Sequence, residues 1–234
     1  MPNNTLSSRI LIGAIIPLLL LPFLVFLCIM EGTVDLSLQE VWAAITDKSI
    51  ETTSAFIVQD IRIPQIITAI LAGLALSVSG LLMQTLFANP LADPSLLGVN
   101  SGAGLGVALV ILCFGGSITL GGTELSGFFL IIGASFVGAG AVILLLMLCH
   151  AWLPGKLLLL ITGVMISFIA GAMISILNFI ASAEGIQTFV LWGMGSYSMV
   201  NKALLLPFFL IVLIGIVLAL LLIKPLYTLL LGDK

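Results

Sequence analysis

Four hydroxyls, Ser79, Ser101, Ser167 and Ser175, sit in apolar stretches where a nucleophile would have to work in lipid. Acyl transfer there needs a base beside the hydroxyl, and hydrolysis by another route needs a metal cluster. The one histidine, His150, lies at the edge of an apolar run two residues from Trp152. That is where an ordinary membrane-boundary residue belongs. The sequence has no H-E-x-x-H and no pair of aspartates in two apolar runs. Cys28, Cys113 and Cys149 are odd in number and form no C-x-x-C, so they read as small hydrophobes. An intramembrane enzyme therefore lacks its parts.

Nucleotide chemistry is excluded in the same way. No G-x-x-x-x-G-K-[ST] is present, so the chain holds no P-loop for ATP. The run Gly102-Ala103-Gly104-Leu105-Gly106 fails as a dinucleotide loop, because Val107 stands where the last glycine is needed. No cofactor is expected. A net charge of −3 leaves no basic face for nucleic acid. No Asp, Glu, Lys, Arg or His lies well inside an apolar run, whereas ion-coupled carriers keep such groups as relays. Uphill movement of a solute by this chain would need energy from elsewhere.

The elements that hold these residues follow from composition. Of 234 residues, 61% are apolar and 7% charged, against about 45–50% and about 25% in globular domains. The mean hydropathy is +1.37. Six charge-free windows approach or exceed the ~20 residues that cross a bilayer: 10–30, 64–87, 96–114, 127–149, 157–182 and 203–223. Helices satisfy their own backbone groups in hydrocarbon, so the fold class is all-α, a polytopic transmembrane helical bundle. The first window is longer than a signal-peptide core and ends without an A-x-A site, so it reads as an anchor. With the N-terminus cytoplasmic, Arg9, Lys156, Lys224 and Lys234 fall inside and Lys48, Arg62 and Lys202 outside.

Small residues recur at helical spacing. Gly98, Gly102 and Gly106 form a doubled GxxxG, and Gly73, Ser77, Gly80 and Gln84 share one stripe of the second window. In the fifth window Gly163, Ser167, Gly171, Ser175, Asn178 and Ser182 share a sector about 100° wide. Such a stripe packs on a neighbouring helix or lines a hydrated path. Between the first two windows, Ser37 and Glu40 form a capping box ahead of Leu38, Val41, Trp42 and Ile45. This segment reads as a short amphipathic helix on the outer membrane face, or as a plain surface helix in a loop.

Residues 80–106 read GLLMQTLFANPLADPSLLGVNSGAGLG, where Pro90 and Pro94 end one helix and delay the next. This block, with Gln84, Asn89, Pro90, Leu91, Asp93, Pro94 and Gly98, resembles the signature of FecCD-type permeases. Those are the membrane subunits of ABC importers for iron-siderophores, haem and cobalamin. Asp60–Pro64, Leu159–Val164, Leu191–Ser198 and Leu226–Lys234 resemble further blocks of that family, in the same order.

The resemblance implies a bacterial inner-membrane permease of ten spans, of which a single domain over residues 1–234 carries six. It implies a second permease copy, cytoplasmic ATPase subunits, an extracytoplasmic substrate-binding protein, and alternating access driven by ATP hydrolysed on the partners. It places the translocation path at Ser167, Gly171, Ser175 and Asn178, and the cytoplasmic gate at Pro154, Gly155 and Lys156. Arg62 would dock the binding protein, with Gln65 standing where the family has a second arginine. Leu231, Gly232 and Asp233 would begin the segment that couples to the ATPase, and the C-terminal third would be missing. The alternative is a transport-incompetent fragment or scaffold.

Overall fold

The computed structural model of the protein describes residues 4–46, 52–115, 118–120, 123–125, 127–152, 155–197 and 200–231. Helix α1 spans Asn4–Met30 and contains Pro17 and Pro22. A short helix, α2, covers Leu38–Thr46. Helix α3, Thr53–Phe56, runs through a π-helical stretch at Ile57–Arg62 into α4, Ile63–Phe87. A 3₁₀ turn at Pro94–Leu97 precedes α5, Val99–Phe114. Strands β1, Ile118–Leu120, and β2, Thr123–Leu125, pair antiparallel with Ile118 opposite Leu125. Then come α6, Gly127–Trp152, α7, Lys156–Ile180, and α8, Ala183–Gly193. Helices α9, Lys202–Leu221, and α10, Ile223–Leu231, complete the described chain.

Four described helices are long and apolar enough to cross a membrane: Thr53–Phe87, Phe129–Trp152, Leu157–Ile180 and Lys202–Leu221. Two shorter apolar helices are Ile15–Met30, within α1, and Val99–Phe114. The helical class stands, and the boundaries differ from the sequence windows at instructive places. The helix that contains the window 64–87 starts at Thr53, because Asp60 and Arg62 ride on the π stretch instead of ending the helix. The helix of the third window is shorter than 96–114, because Pro94 forces a 3₁₀ turn and α5 begins only after Gly98.

The chain packs as two compact units. In the first, Met1–Ala75 with Tyr197–Val217, the core is Val41, Ala44, Ala55 and Val58, with Ile29, Met30, Leu36 and Ile63 against it. The capping box ahead of α2 is formed as its sequence suggests. The Ser37 N–H donates to Glu40 Oε2 at 2.8 Å and the Glu40 N–H to Ser37 Oγ at 3.3 Å. Hydrogen bonds from the Ser37 hydroxyl and then its N–H hold the Glu40 carboxyl below its ordinary value.

The second unit, Leu76–Ser196 with Leu218–Lys234, is built on backbone-to-backbone contact. A Cβ on Gly106 would overlap the Ala134 carbonyl oxygen, and one on Gly138 would overlap that of Gly102. Helices of equal apolarity gain little from burial in lipid, so glycines that let α5 and α6 touch supply the attraction. The GxxxG reading of Gly102 and Gly106 is thereby given a partner, α6. Helix α7 closes the unit, with Ile166 against Val142 and Leu146.

Candidate functional site

The break after α4 is built by repetition of a local device. Ala88 leaves the helix at a φ of 49°, and the Asn89 N–H returns to the Gln84 carbonyl at 3.1 Å. Each proline then removes one backbone donor, and the carboxamide or carboxylate before it accepts the next. Asn89 Oδ1 accepts from the Leu91 N–H at 2.9 Å, and Asp93 Oδ1 from the Ser95 N–H at 2.7 Å. These are Asx turns, which pair N–H groups of the break that no helix carbonyl accepts. Bonds from the Ser95 hydroxyl and then its N–H lower the Asp93 pKa. Asp93→Ala is expected to cost about 0.5–2 kcal/mol of stability, as for a lost N-cap. Asp93→Asn keeps an acceptor oxygen and is expected to lose less. Thermal melts of the two variants in detergent measure the difference, and equal losses would contradict the capping role.

The break is seated on α7. Gly98 takes a φ of 75°, where residues with a Cβ are disfavoured. A Cβ there would also meet the Gly163 carbonyl oxygen at 2.7 Å and Ser167 Oγ at 3.0 Å. In return, a Cβ on Gly163 would meet Leu96 O and Leu97 Cα, both at 2.7 Å. The block at 80–106 and the block at 159–164 are thus two halves of one joint. Sequence spacing could not show this, since each glycine's need for space comes from the other segment.

The small-residue stripe of α7 therefore divides. Its first part, Gly163 and Ser167, is packed, and Ser167 Oγ donates to the Gly163 carbonyl at 3.1 Å. Its second part is open: Gly171 and Ser175 are exposed, a Cβ on Gly171 would meet nothing within 4 Å, and Ser175 Oγ donates to Gly171 O at 3.0 Å. Asn178 is half-buried, and its Oδ1 is buried with no hydrogen-bond partner among the described residues. A separate groove of about 550 Å³ between α5, α6 and α7 is lined by glycine, alanine, methionine and branched aliphatic residues, including Gly102, Gly138, Ile166 and Met173. It suits hydrocarbon rather than a hydrated solute.

Of the remaining expected positions, Gln84, Asn89, Pro90, Leu91 and Asp93 are exposed, and Pro94 is half-buried. Gly155 is exposed with a φ of 144° and accepts the Leu159 N–H at the start of α7, which opens with Lys156. Pro154, Gly232 and Asp233 lie outside the described residues, and Leu231 is the last residue of α10.

Arg62, the residue expected to dock a binding protein, is held by the chain's own backbone. It is only 6% exposed, and its guanidinium donates to the carbonyls of Ile29, Met30 (2.9 Å) and Val34. Gly32 makes room, since a Cβ there would lie 2.6 Å from an Arg62 terminal nitrogen. A cation at a helix carboxyl end pairs with orphan carbonyls and with the negative pole of the helix. Docking through Arg62 would require the guanidinium to leave all three. A cleft in the same unit went unnoticed in the sequence: about 580 Å³, lined by Phe56, Asp60, Asn201 and Lys202 among others. Asp60 and Lys202 approach to 3.8 Å there. An ion pair so exposed contributes little to stability.

The sequence pattern of the FecCD transport family matches residues 19–234. The chain belongs to that family. Among its relatives, the haemin transport system permease of Yersinia pestis is 33% identical over 99% of this chain and 66% of its own length. The ferric enterobactin transport system permease of Escherichia coli is 31% identical over 87% of this chain and 58% of its own. A solved inward-facing structure of a transporter assigned to the metal-chelate ABC type superposes with a TM-score of 0.73 at 27% identity. That match covers 94% of this chain and 63% of the other. The chain thus spans no more than about two-thirds of the length of these FecCD-family relatives. Its apolar helices and its family make it a multi-pass membrane protein.

Proposed function

We propose that this chain is the permease portion of a bacterial inner-membrane ABC importer for an iron-siderophore, haem or cobalamin-type chelate. Two permease copies alternate access to a path between them, and ATP hydrolysed on cytoplasmic partner subunits drives the cycle. An extracytoplasmic binding protein delivers the chelate. The N-terminus is cytoplasmic. Carrying this reading is the joint of Gly98 and Gly163, which brings together two of the blocks that resemble the permease family. The names of the relatives, which transport haemin and ferric enterobactin, support the substrate class.

Within α7 the path runs along Ser167, Gly171, Ser175 and the Asn178 side-chain oxygen, which has no hydrogen-bond partner among the described residues. A hydrated solute meets small side chains and hydroxyls there, which permit passage of a bulky ligand without a tight site. Pro154, Gly155 and Lys156 gate the cytoplasmic side, and Leu231, Gly232 and Asp233 begin the contact with the ATPase.

Co-purification with an ATPase subunit, followed by uptake in proteoliposomes, tests the proposal. Uptake of a labelled ferric siderophore or haem is expected only with ATP and an active ATPase. Uptake that persists after the ATPase is inactivated would overturn it.

A further inference from the structure

Helix α2 has three faces. Taken at about 100° per residue, Val41 and Ala44 form one, buried against Ala55 and Val58. Gln39, Glu40 and Thr46 fall on a polar arc. Between them, Leu38, Trp42 and Ile45 form a third face, exposed at 62%, 70% and 43%. The helix cannot rotate to hide it. At its amino end Glu40 Oε1 accepts from the Ser54 hydroxyl at 3.4 Å, and at its carboxyl end Gln59 Nε2 donates to the Ala44 carbonyl at 2.6 Å. Both clamps come from the long helix that enters the membrane as α4, and the π stretch sets the register that brings Gln59 into place.

The level of α2 is given by α1. Ile29 and Met30, the last residues of that apolar helix, pack against the buried face of α2. The exposed charges Glu31 and Asp35 follow directly. An apolar face held at the border between an apolar helix and its first charges meets the zone where headgroups give way to acyl chains. Tryptophan favours that zone, because its ring is apolar and its N–H is wet. Phe23 and Phe26 near the end of α1 are exposed as well.

We infer that α2 is an interfacial anchor, with Leu38, Trp42 and Ile45 inserted among lipid headgroups and upper acyl chains. Through Ser54 and Gln59 it ties the start of the long α3–α4 helix to the bilayer surface. That helix then cannot slide along its axis without pulling α2 through the interface.

Depth-resolved fluorescence quenching of the full chain in phosphatidylcholine–phosphatidylglycerol vesicles tests this. The chain has three tryptophans, so subtracting Trp42→Phe emission from wild type isolates Trp42. A nitroxide near the headgroup is expected to quench Trp42 about twofold more than one at the chain end, with weak quenching by aqueous acrylamide. Dominant acrylamide quenching would mean a water-facing surface, and shielding from all three quenchers would mean a protein partner. Either overturns the inference. If Trp42→Phe does not fold, the double variant Trp152→Phe, Trp192→Phe leaves Trp42 as the sole reporter, read against the same outcomes.

Discussion

Gly163→Val is expected to lower permease stability by about 2–4 kcal/mol, a range built from overpacking and displaced backbone. The reason lies in what the new side chain would meet. A Cβ at 163 approaches Leu96 O and Leu97 Cα at 2.7 Å and Leu97 C at 2.8 Å, all main-chain atoms. A flexible side chain could swing away, but this backbone is held by the Asp93 cap and by Gly98 at positive φ. The 3₁₀ turn must therefore lift off α7. Gly171→Ala is the control on the same stripe, because a Cβ there has open space. It is expected to change stability by no more than about 0.5 kcal/mol. Thermal melts in detergent compare them, and a Gly163→Val protein melting with wild type would refute the joint. In a complete importer the same variant is expected to lose uptake, since the displaced turn lies beside the packed end of the proposed path.

Arg62→Ala is expected to lose about 2–4 kcal/mol in the isolated permease, with no binding protein present. Three carbonyls, those of Ile29, Met30 and Val34, lose a charged donor at once. Bonds to charged groups contribute about 1.5–3 kcal/mol each in favourable cases, and water entering the vacated space recovers part of the sum. Arg62→Lys keeps the charge but not the planar fork, so an intermediate loss is expected. Melting temperature and limited proteolysis near Gly32 read the effect. A side chain that served only to dock a partner would leave both unchanged, which makes the measurement decisive between the two roles.

The joint and the arginine show where sequence reading reaches and where it stops. The break at 89–94 was legible because its rules act within two or three residues: proline deletes a donor, and the preceding Asn or Asp supplies an acceptor. The capping box at Ser37 and Glu40 was legible for the same reason. The amphipathic face of α2 was only half legible. Leu38, Val41, Trp42 and Ile45 share one apolar side, but the structure buries Val41 together with Ala44 and leaves the other three exposed. Which apolar residues meet protein and which meet lipid depends on the neighbour, and spacing carries no record of it.

By itself the sequence determined that the chain lives in a membrane, that it is helical, where it breaks, and which small residues recur at a spacing that lets helices approach. Hydropathy, proline geometry and caps settle these over a turn or two of chain. Only the tertiary structure decided that the α7 stripe packs at Gly163 and opens at Gly171, and that Arg62 reaches a carbonyl 33 residues away. Contacts across such separations are chosen by which surfaces fit once helices meet, and in a chain this apolar many surfaces look alike until they do.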